Sequence, residues 1–453
     1  MDWQTLLNTD RSHGTVQPED PARPNYVQDA DRISFSAPFR RLANKTQVHP
    51  LYNNDHLRHR MIHSVEVASV GRSLGTQIGH WLEHEGQIAP GEAAKLAGIV
   101  HAACLAHDIG NPPFGHSGEA TIGAWFAQKL HASNGIFRGI DANRWPEFTK
   151  FEGNAQGFRI LTRLEMYRND GGMNLSNAVL GAFSKYPMRA CTSEALGAIA
   201  KESGQIPYVG AKKFGVFETE FDTLARAARA LGLPEETAPN GDIWWRRHPL
   251  VYLVEAADDI CYNIVDLEDG VIAGEIAFDE AKALLDPLID KKTNRDQSQY
   301  NLQEKMAYLR ARAIGGGIEA CVKAFQTYHD AILAGRFSGE LIAVSGKAAE
   351  FARIKEKARD QLFTAPRKTK LEVRGRNVLM TVLDGILPVY EAMAQNGWNP
   401  KGLPDYETQL MRALDLDVRD VTDGYSALHA MADYVSGMTD RYAVEVATLI
   451  SGA

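Results

Sequence analysis

Nine of the fourteen histidines in this sequence lie between positions 49 and 116: His49, His56, His59, His63, His80, His84, His101, His107 and His116. Imidazole can ligate a metal, move a proton, or simply bond a carbonyl in a core. What matters is which of these side chains share a face with apolar residues. In 60–81, His63, Val67, Val70, Leu74, Ile78 and Trp81 follow spacings of 4, 3, 4, 4 and 3, one face of a helix. His63 alone would also fit a core histidine bonded to a carbonyl. In 95–119, Leu96, Val100, Ala103 and His107 form a second such stripe, and Asp108 follows directly. Gly110, Pro112 and Pro113 stop that helix, which leaves a His-Asp pair at a helix end facing a rigid loop. Ser117 is placed to cap the next helix. His116 and Glu119, three apart, can interact on it.

A third segment, 248–270, spaces Val251, Val254, Asp258, Tyr262 and Val265 by 3, 4, 4 and 3, with Asp266 on roughly the same face. Burying an unpaired carboxylate costs several kcal/mol or shifts its pKa strongly. A metal removes that conflict; so does a helix that turns its acidic edge to water. His63, His107, Asp108 and Asp258 together make a two-histidine, two-carboxylate set on three helices. Such donors suit manganese, iron, cobalt, magnesium or zinc rather than a thiolate-loving metal.

The elements that must position these residues read as mainly helical. Residues 1–35 are polar, carry Pro18, Pro21 and Pro24, and read as an irregular arm. Residues 36–290 hold the three stripes, and 291–453 read as a second region of amphipathic helices. Small β elements are expected at 212–222, as a strand or hairpin, and at the start of 371–387, which then turns helical. The stretch 234–241 reads as a loop and 291–301 as a polar linker.

Composition limits what kind of protein this is. Lys and Arg number 49 against 57 Asp and Glu, so 49 − 57 = −8, which lacks the global footprint of a nucleic-acid protein. Hydrophobic residues at 44% and charged residues at 23% argue against wholesale disorder. Cys104, Cys191, Cys261 and Cys321 form no C-x-x-C pair and no disulfide framework. The first residues are acidic and polar where a signal peptide is basic and then apolar, and no apolar run reaches the ~20 residues of a membrane helix. The expectation is a cytoplasmic protein with no membrane association.

At these residues the sequence resembles the HD-domain phosphohydrolases, and within them the deoxyguanosine triphosphate triphosphohydrolase (dGTPase) family. The matching stretches are FRRLANKTQV (39–48), HSVEV (63–67), HDIGNPPFGHSGE (107–119), FEGNAQGFRI (151–160), EAADDICYNIVDLED (255–269) and DYVSGMTDRYA (433–443). The resemblance implies an HD-type helical domain over 36–290, with 291–453 completing the pocket and the oligomer contacts. It implies hydrolysis of a deoxynucleoside triphosphate, dGTP or several dNTPs, to deoxynucleoside and inorganic tripolyphosphate. His63, His107, Asp108 and Asp258 would hold the metal, with manganese or magnesium leading and iron, cobalt or zinc open. That metal would hold an α-phosphate oxygen and acidify the water that attacks the α-phosphorus. His116 would protonate the departing 5′ oxygen, and Glu119 would orient His116 and keep it protonated. Gln47 and Asp266 would bond the 3′-hydroxyl, and Tyr262 would pack against C2′ and exclude a 2′-hydroxyl. Arg58, Lys212 and Lys213 are the candidates for gripping the triphosphate. The resemblance further implies a homo-oligomer (a tetramer or hexamer), a dNTP effector, with Arg374 and Arg376 as candidate contacts, and single-stranded DNA as a further partner. Two positions depart from the family pattern: Ala43-Asn44, where Gln is frequent, and His59, where Thr is common.

Other readings compete. HWLEH (80–84) fits H-x-x-E-H, a zinc-protease pattern, but His80 lies about 100° round the helix from His63. An HD phosphodiesterase or nucleotidase acting on another nucleotide is a second alternative. A nucleotide-sensing or DNA-binding HD module is a third. No G-x-x-x-x-G-K-[ST] occurs, and GGGIEA (315–320) follows a helix-like run rather than a strand, which argues against a dinucleotide loop.

Overall fold

A computed structural model describes residues 1–14, 18–47, 58–166, 171–204, 208–290, 298–363 and 366–452. His49, His56 and most of the 291–301 linker lie outside them. The chain is 68% helical, far above the roughly one-third of an ordinary globular protein, and the mainly α expectation holds. Among the described residues no helix is long and apolar enough to cross a membrane.

The His63 helix runs Arg60–His84 and buries Val67, Val70, Leu74 and Ile78, the stripe its spacing requires. Its neighbour, Glu92–Ala106, ends one residue before His107. The two cross closely because glycine removes side-chain bulk at the contact. A Cβ on Gly75 would sit 2.8 Å from the Ala97 Cα, and one on Gly79 would sit 2.7 Å from the Ala93 Cα. Against this pair packs the Asp258 helix, Val251–Ile272. The long helix Leu302–Leu333 then covers the Asp258 helix and opens with a capping box between Asn301 and Glu304. The glycines of GGGIEA lie inside this last helix, with no strand before them.

Two hydrophobic cores result. One gathers Leu74, Leu96, Val100, Ile260 and Phe325 around the three helices of the stripes. The other gathers Trp125 and Phe126, from the His116 helix Gly115–Ala132, with Leu383, Ile386, Met431 and Val446 from the C-terminal helices Pro366–Gln395, Gly424–Gly437 and Asp440–Ser451. The cores do not divide at 290/291: Met306, Phe325 and Ile354 belong to the first.

Five local expectations are corrected. The arm is not irregular throughout: Trp3–Leu6 and Asn25–Ser34 are helical. Trp3, Leu6 and Leu7 bury in the first core, with Trp3 Nε1 donating to His329 Nε2 at 3.0 Å. Residues 212–222 form no strand, because Phe214, Val216 and Phe217 are all buried and do not alternate. The β hairpin pairs β1 (Glu235–Thr237) with β2 (Ile243–Trp245) instead, so the stretch 234–241 read as a loop contains a strand and only its second half turns. Residues 371–387 are helical from the start, since Leu379, Val382, Leu383 and Ile386 bury at helical spacing while Val373 is exposed. Ser117 does not cap its helix; Phe114, in a left-handed conformation, takes the N-cap position.

Candidate active site

The three stripes deliver their polar residues to one place. His63 is 1% exposed and its Nε2 lies 3.0 Å from Asp258 Oδ1. His107 Nδ1 lies 2.7 Å from the Cys104 carbonyl, so Nδ1 carries the proton and donates. That fixes Nε2 as the lone-pair nitrogen, as an outer hydrogen bond does for a metal-binding histidine. Nε2 is buried, has no hydrogen-bond partner, and lies 3.6 Å from both Asp108 Oδ1 and Asp258 Oδ1. Donor atoms of His63, His107 and Asp108 all fall within 4.8 Å of one another. An orphaned imidazole nitrogen facing two carboxylates fits a divalent cation with mixed nitrogen and oxygen ligands.

The electrostatics agree with this focus of charge. Burial works to raise the Asp108 pKa, but Arg60 and His107 outweigh it and hold it low. Asp258 is likewise held far below the usual carboxylate range, its burial offset by His107 and His63. Burial opposes charge on His63, yet its hydrogen bond to Asp258, which accepts, raises its pKa. Arg60 was not foreseen. It is 5% exposed and its Nη1 donates to Asp108 Oδ2 at 2.6 Å. Its signal was present in the sequence, three residues before His63 on the same stripe.

A cavity of about 520 Å³ opens over these groups. Gln47, His116, Glu119, Tyr262 and Lys213 line it, as expected. Lys185, which sequence reasoning missed, lines it too, and its Nζ lies 3.2 Å from Glu255 Oε1. The only local hint was a basic-aromatic pair, Lys185-Tyr186. Lys213 Nζ lies 2.8 Å from Glu152 Oε2. From the C-terminal region come Lys355 and Glu372.

Several expected roles are redrawn. Arg58 does not line the cavity: it is paired with Glu66, Glu268 and Asp269, and sits in a separate groove with Arg310. Lys212 is half-exposed, 3.5 Å from Glu340 Oε1, and also lies off the cavity. Glu119 makes no hydrogen bond to His116 among the described contacts; its Oε1 accepts from the Gly153 N–H at 2.8 Å. Partial burial, Arg60 and Lys213 lower the His116 pKa, against the opposing carboxylates Asp108 and Glu152. Asp266 is 2% exposed, lies outside the cavity lining, and burial lifts its pKa to about 8. Among the described residues, its Oδ2 and Gln47 Oε1 are both buried without a donor. Arg374 and Arg376 are exposed on a helix rather than in a loop. The H-x-x-E-H histidines face solvent: His80 is 68% exposed, and Glu83 instead accepts from the Gly91 and Ala93 N–H groups at 2.8 and 2.9 Å.

Comparison with known proteins agrees with this geometry. Residues 60–150 match the HD domain, and residues 343–448 match the phosphohydrolase-associated domain. A deoxyguanosinetriphosphate triphosphohydrolase-like protein of Pseudomonas aeruginosa is 40% identical over 100% of this chain and 99% of its own. One of Synechocystis is 36% identical over 98% and 97%. A deoxyguanosinetriphosphate triphosphohydrolase of Yersinia enterocolitica is 30% identical over 93% and 92%.

Proposed function

This chain belongs to the HD-domain deoxyguanosinetriphosphate triphosphohydrolase family of hydrolases, and we propose that it cleaves a deoxynucleoside triphosphate at the α-phosphorus. The products are the deoxynucleoside and inorganic tripolyphosphate. The observation that carries this reading is His107 Nε2, unpaired among the described residues between Asp108 and Asp258, in the lining of a cavity that His116 also lines. His63, His107, Asp108 and Asp258 would hold a divalent ion, manganese or magnesium, that supplies Lewis acidity toward a phosphate oxygen.

The chain's own residues do the rest. Lys185, Lys213 and Arg60 give the cavity the cations a triphosphate needs. His116 donates its proton to the 5′ oxygen as the ester bond breaks. Burial, Arg60 and Lys213 lower the His116 pKa, and a bound triphosphate would offset the two cations' share of that lowering. Glu119, its Oε1 held by the Gly153 N–H, lines the same cavity as His116. Gln47 Oε1, on the cavity wall and short of a donor among the described residues, suits a sugar hydroxyl, and Tyr262 on the same wall limits room at C2′. We further propose a cytoplasmic homo-oligomer with a dNTP effector. Size-exclusion chromatography with and without each dNTP tests that part.

The chemistry is tested by incubating the manganese-loaded protein with each dNTP and with GTP and reading products by phosphorus NMR. Tripolyphosphate from dNTPs but not GTP is the expected result. Orthophosphate or pyrophosphate would mean that a different bond is cut.

A further inference from the structure

His116 is aimed at the cavity by two consecutive residues in the left-handed region, Phe114 (φ +62°) and Gly115 (φ +58°). Glycine takes this conformation freely, but a residue with a Cβ loses about 1–2 kcal/mol there. Such a residue persists only where its surroundings hold it. The C-terminal region does the holding. Asp440 is 1% exposed; its Oδ1 accepts from the Phe114 N–H at 3.1 Å. Its Oδ2 accepts from both the N–H and the hydroxyl of Thr46, which also lines the cavity. On the Pro366–Gln395 helix, Gly375 leaves room for the Phe114 ring: a Cβ there would stand 2.6 Å from the ring Cγ. One turn earlier in the loop, buried Lys45 donates to the Asn111 and Ser436 carbonyls, each at 2.7 Å. Phe114 is thus held by two C-terminal helices that supply none of the four candidate metal ligands.

We propose that Asp440 is a positioning residue for the hydrolytic step: it holds the left-handed Phe114–Gly115 pair that directs His116 into the cavity. The proposal rests on the reading of His116 as proton donor. Two further observations favour positioning over a merely structural role. Both Asp440 oxygens are spent on cavity-lining residues, and the residue they restrain is the one immediately before the turn into His116. Gly375 restrains the same residue through its ring.

The test uses the full-length, metal-loaded protein. Asp440→Ala is expected to lower kcat on the order of 10²-fold, the scale of a reacting group misplaced by an ångström, with KM and manganese affinity unchanged. Asp440→Asn, which keeps one acceptor oxygen, is expected to recover part of the loss. Gly375→Ala, which displaces the Phe114 ring, is expected to show the same kcat-only loss. If Asp440→Ala does not fold, these two variants carry the test. In a His116→Ala background, Asp440→Asn should cost no further rate, because both changes act through one imidazole. Additive losses would overturn the proposal and leave the activity reading standing. A second readout is independent of turnover: the His116 imidazole NMR signal, identified by its loss in His116→Ala, should move in Asp440→Asn. An unmoved signal overturns the proposal. Should the wild type release no tripolyphosphate from any dNTP, the substrate reading falls, and the imidazole signal alone decides the positioning role.

Discussion

The core around Leu74, Leu96 and Ile260 carries His63, His107, Asp108 and Asp258; the core around Trp125, Leu383 and Met431 carries His116 and Glu119. Both reach the same cavity, and the chain passes from one to the other between Ile109 and Phe114. They are built differently. The first relies on helix backbones brought close by Gly75 and Gly79. The second relies on large aromatic side chains and reaches the cavity through a left-handed turn held by hydrogen bonds. The geometry of the candidate ligands is therefore set by helix crossing, and that of the proposed proton donor by packing from the far end of the chain. The two functions should be separable by mutation.

The largest effect should fall on the first core's polar residues. His107→Ala or Asp108→Ala is expected to remove bound metal and activity together, by about 10³-fold or more given the several kcal/mol a Lewis acid supplies. Manganese titration beside the rate assay checks this, and normal turnover in either variant breaks the assignment. His116→Ala is next: metal retained, rate lower by roughly 10²–10⁴-fold. Loss of metal in that variant would make His116 a ligand and erase the division between cores.

A pair of cavity-forming changes sharpens the comparison further. Leu74 and Leu383 are both fully buried, one in each core. Truncating either to Ala should cost about 2–5 kcal/mol of stability, read by thermal unfolding. Leu74→Ala should weaken manganese binding, while Leu383→Ala should lower kcat with metal affinity kept. Equal loss of metal in both would show that the cores act as one.

The smallest effect concerns acid. His248 is fully buried beside the first core; its Nε2 donates to the Leu6 carbonyl at 3.0 Å and its Nδ1 accepts from the Leu250 N–H at 3.1 Å. Burial brings its pKa from 6.5 down to about 4. The folded protein thus keeps it neutral while the unfolded chain takes up a proton below 6.5. Its contribution to stability is complete above that value and is lost as pH falls toward 4. Melting temperatures recorded across this window should fall less steeply for His248→Gln than for the wild type.

What the sequence disclosed follows from the range of each signal. Helical periodicity is local, so the stripes through His63, His107 and Asp258 located three helices and four candidate ligands. Arg60 lay on one of those stripes and was legible in principle. Arg58 precedes the helix, and its direction is set by Glu268 and Asp269, over 200 residues away. Trp3–Leu6 is too short to show a period, and β1 and β2, at three residues each, are too short to show alternation. Phe214, Val216 and Phe217 looked strand-like because they are apolar and closely spaced, yet all are buried, a pattern that only packing from several sides produces.

The glycine crossing also has a consequence in time. Gly75 and Gly79 meet Ala97 and Ala93 across a short stretch of chain, so closing that contact forfeits little loop entropy, and contacts of this kind form early. Asp258 is synthesised 150 residues after Asp108 (258 − 108). A growing chain therefore holds two imidazoles and one carboxylate of the candidate metal site well before the fourth candidate ligand leaves the ribosome. Metal grip should ripen in two stages, loose and then firm.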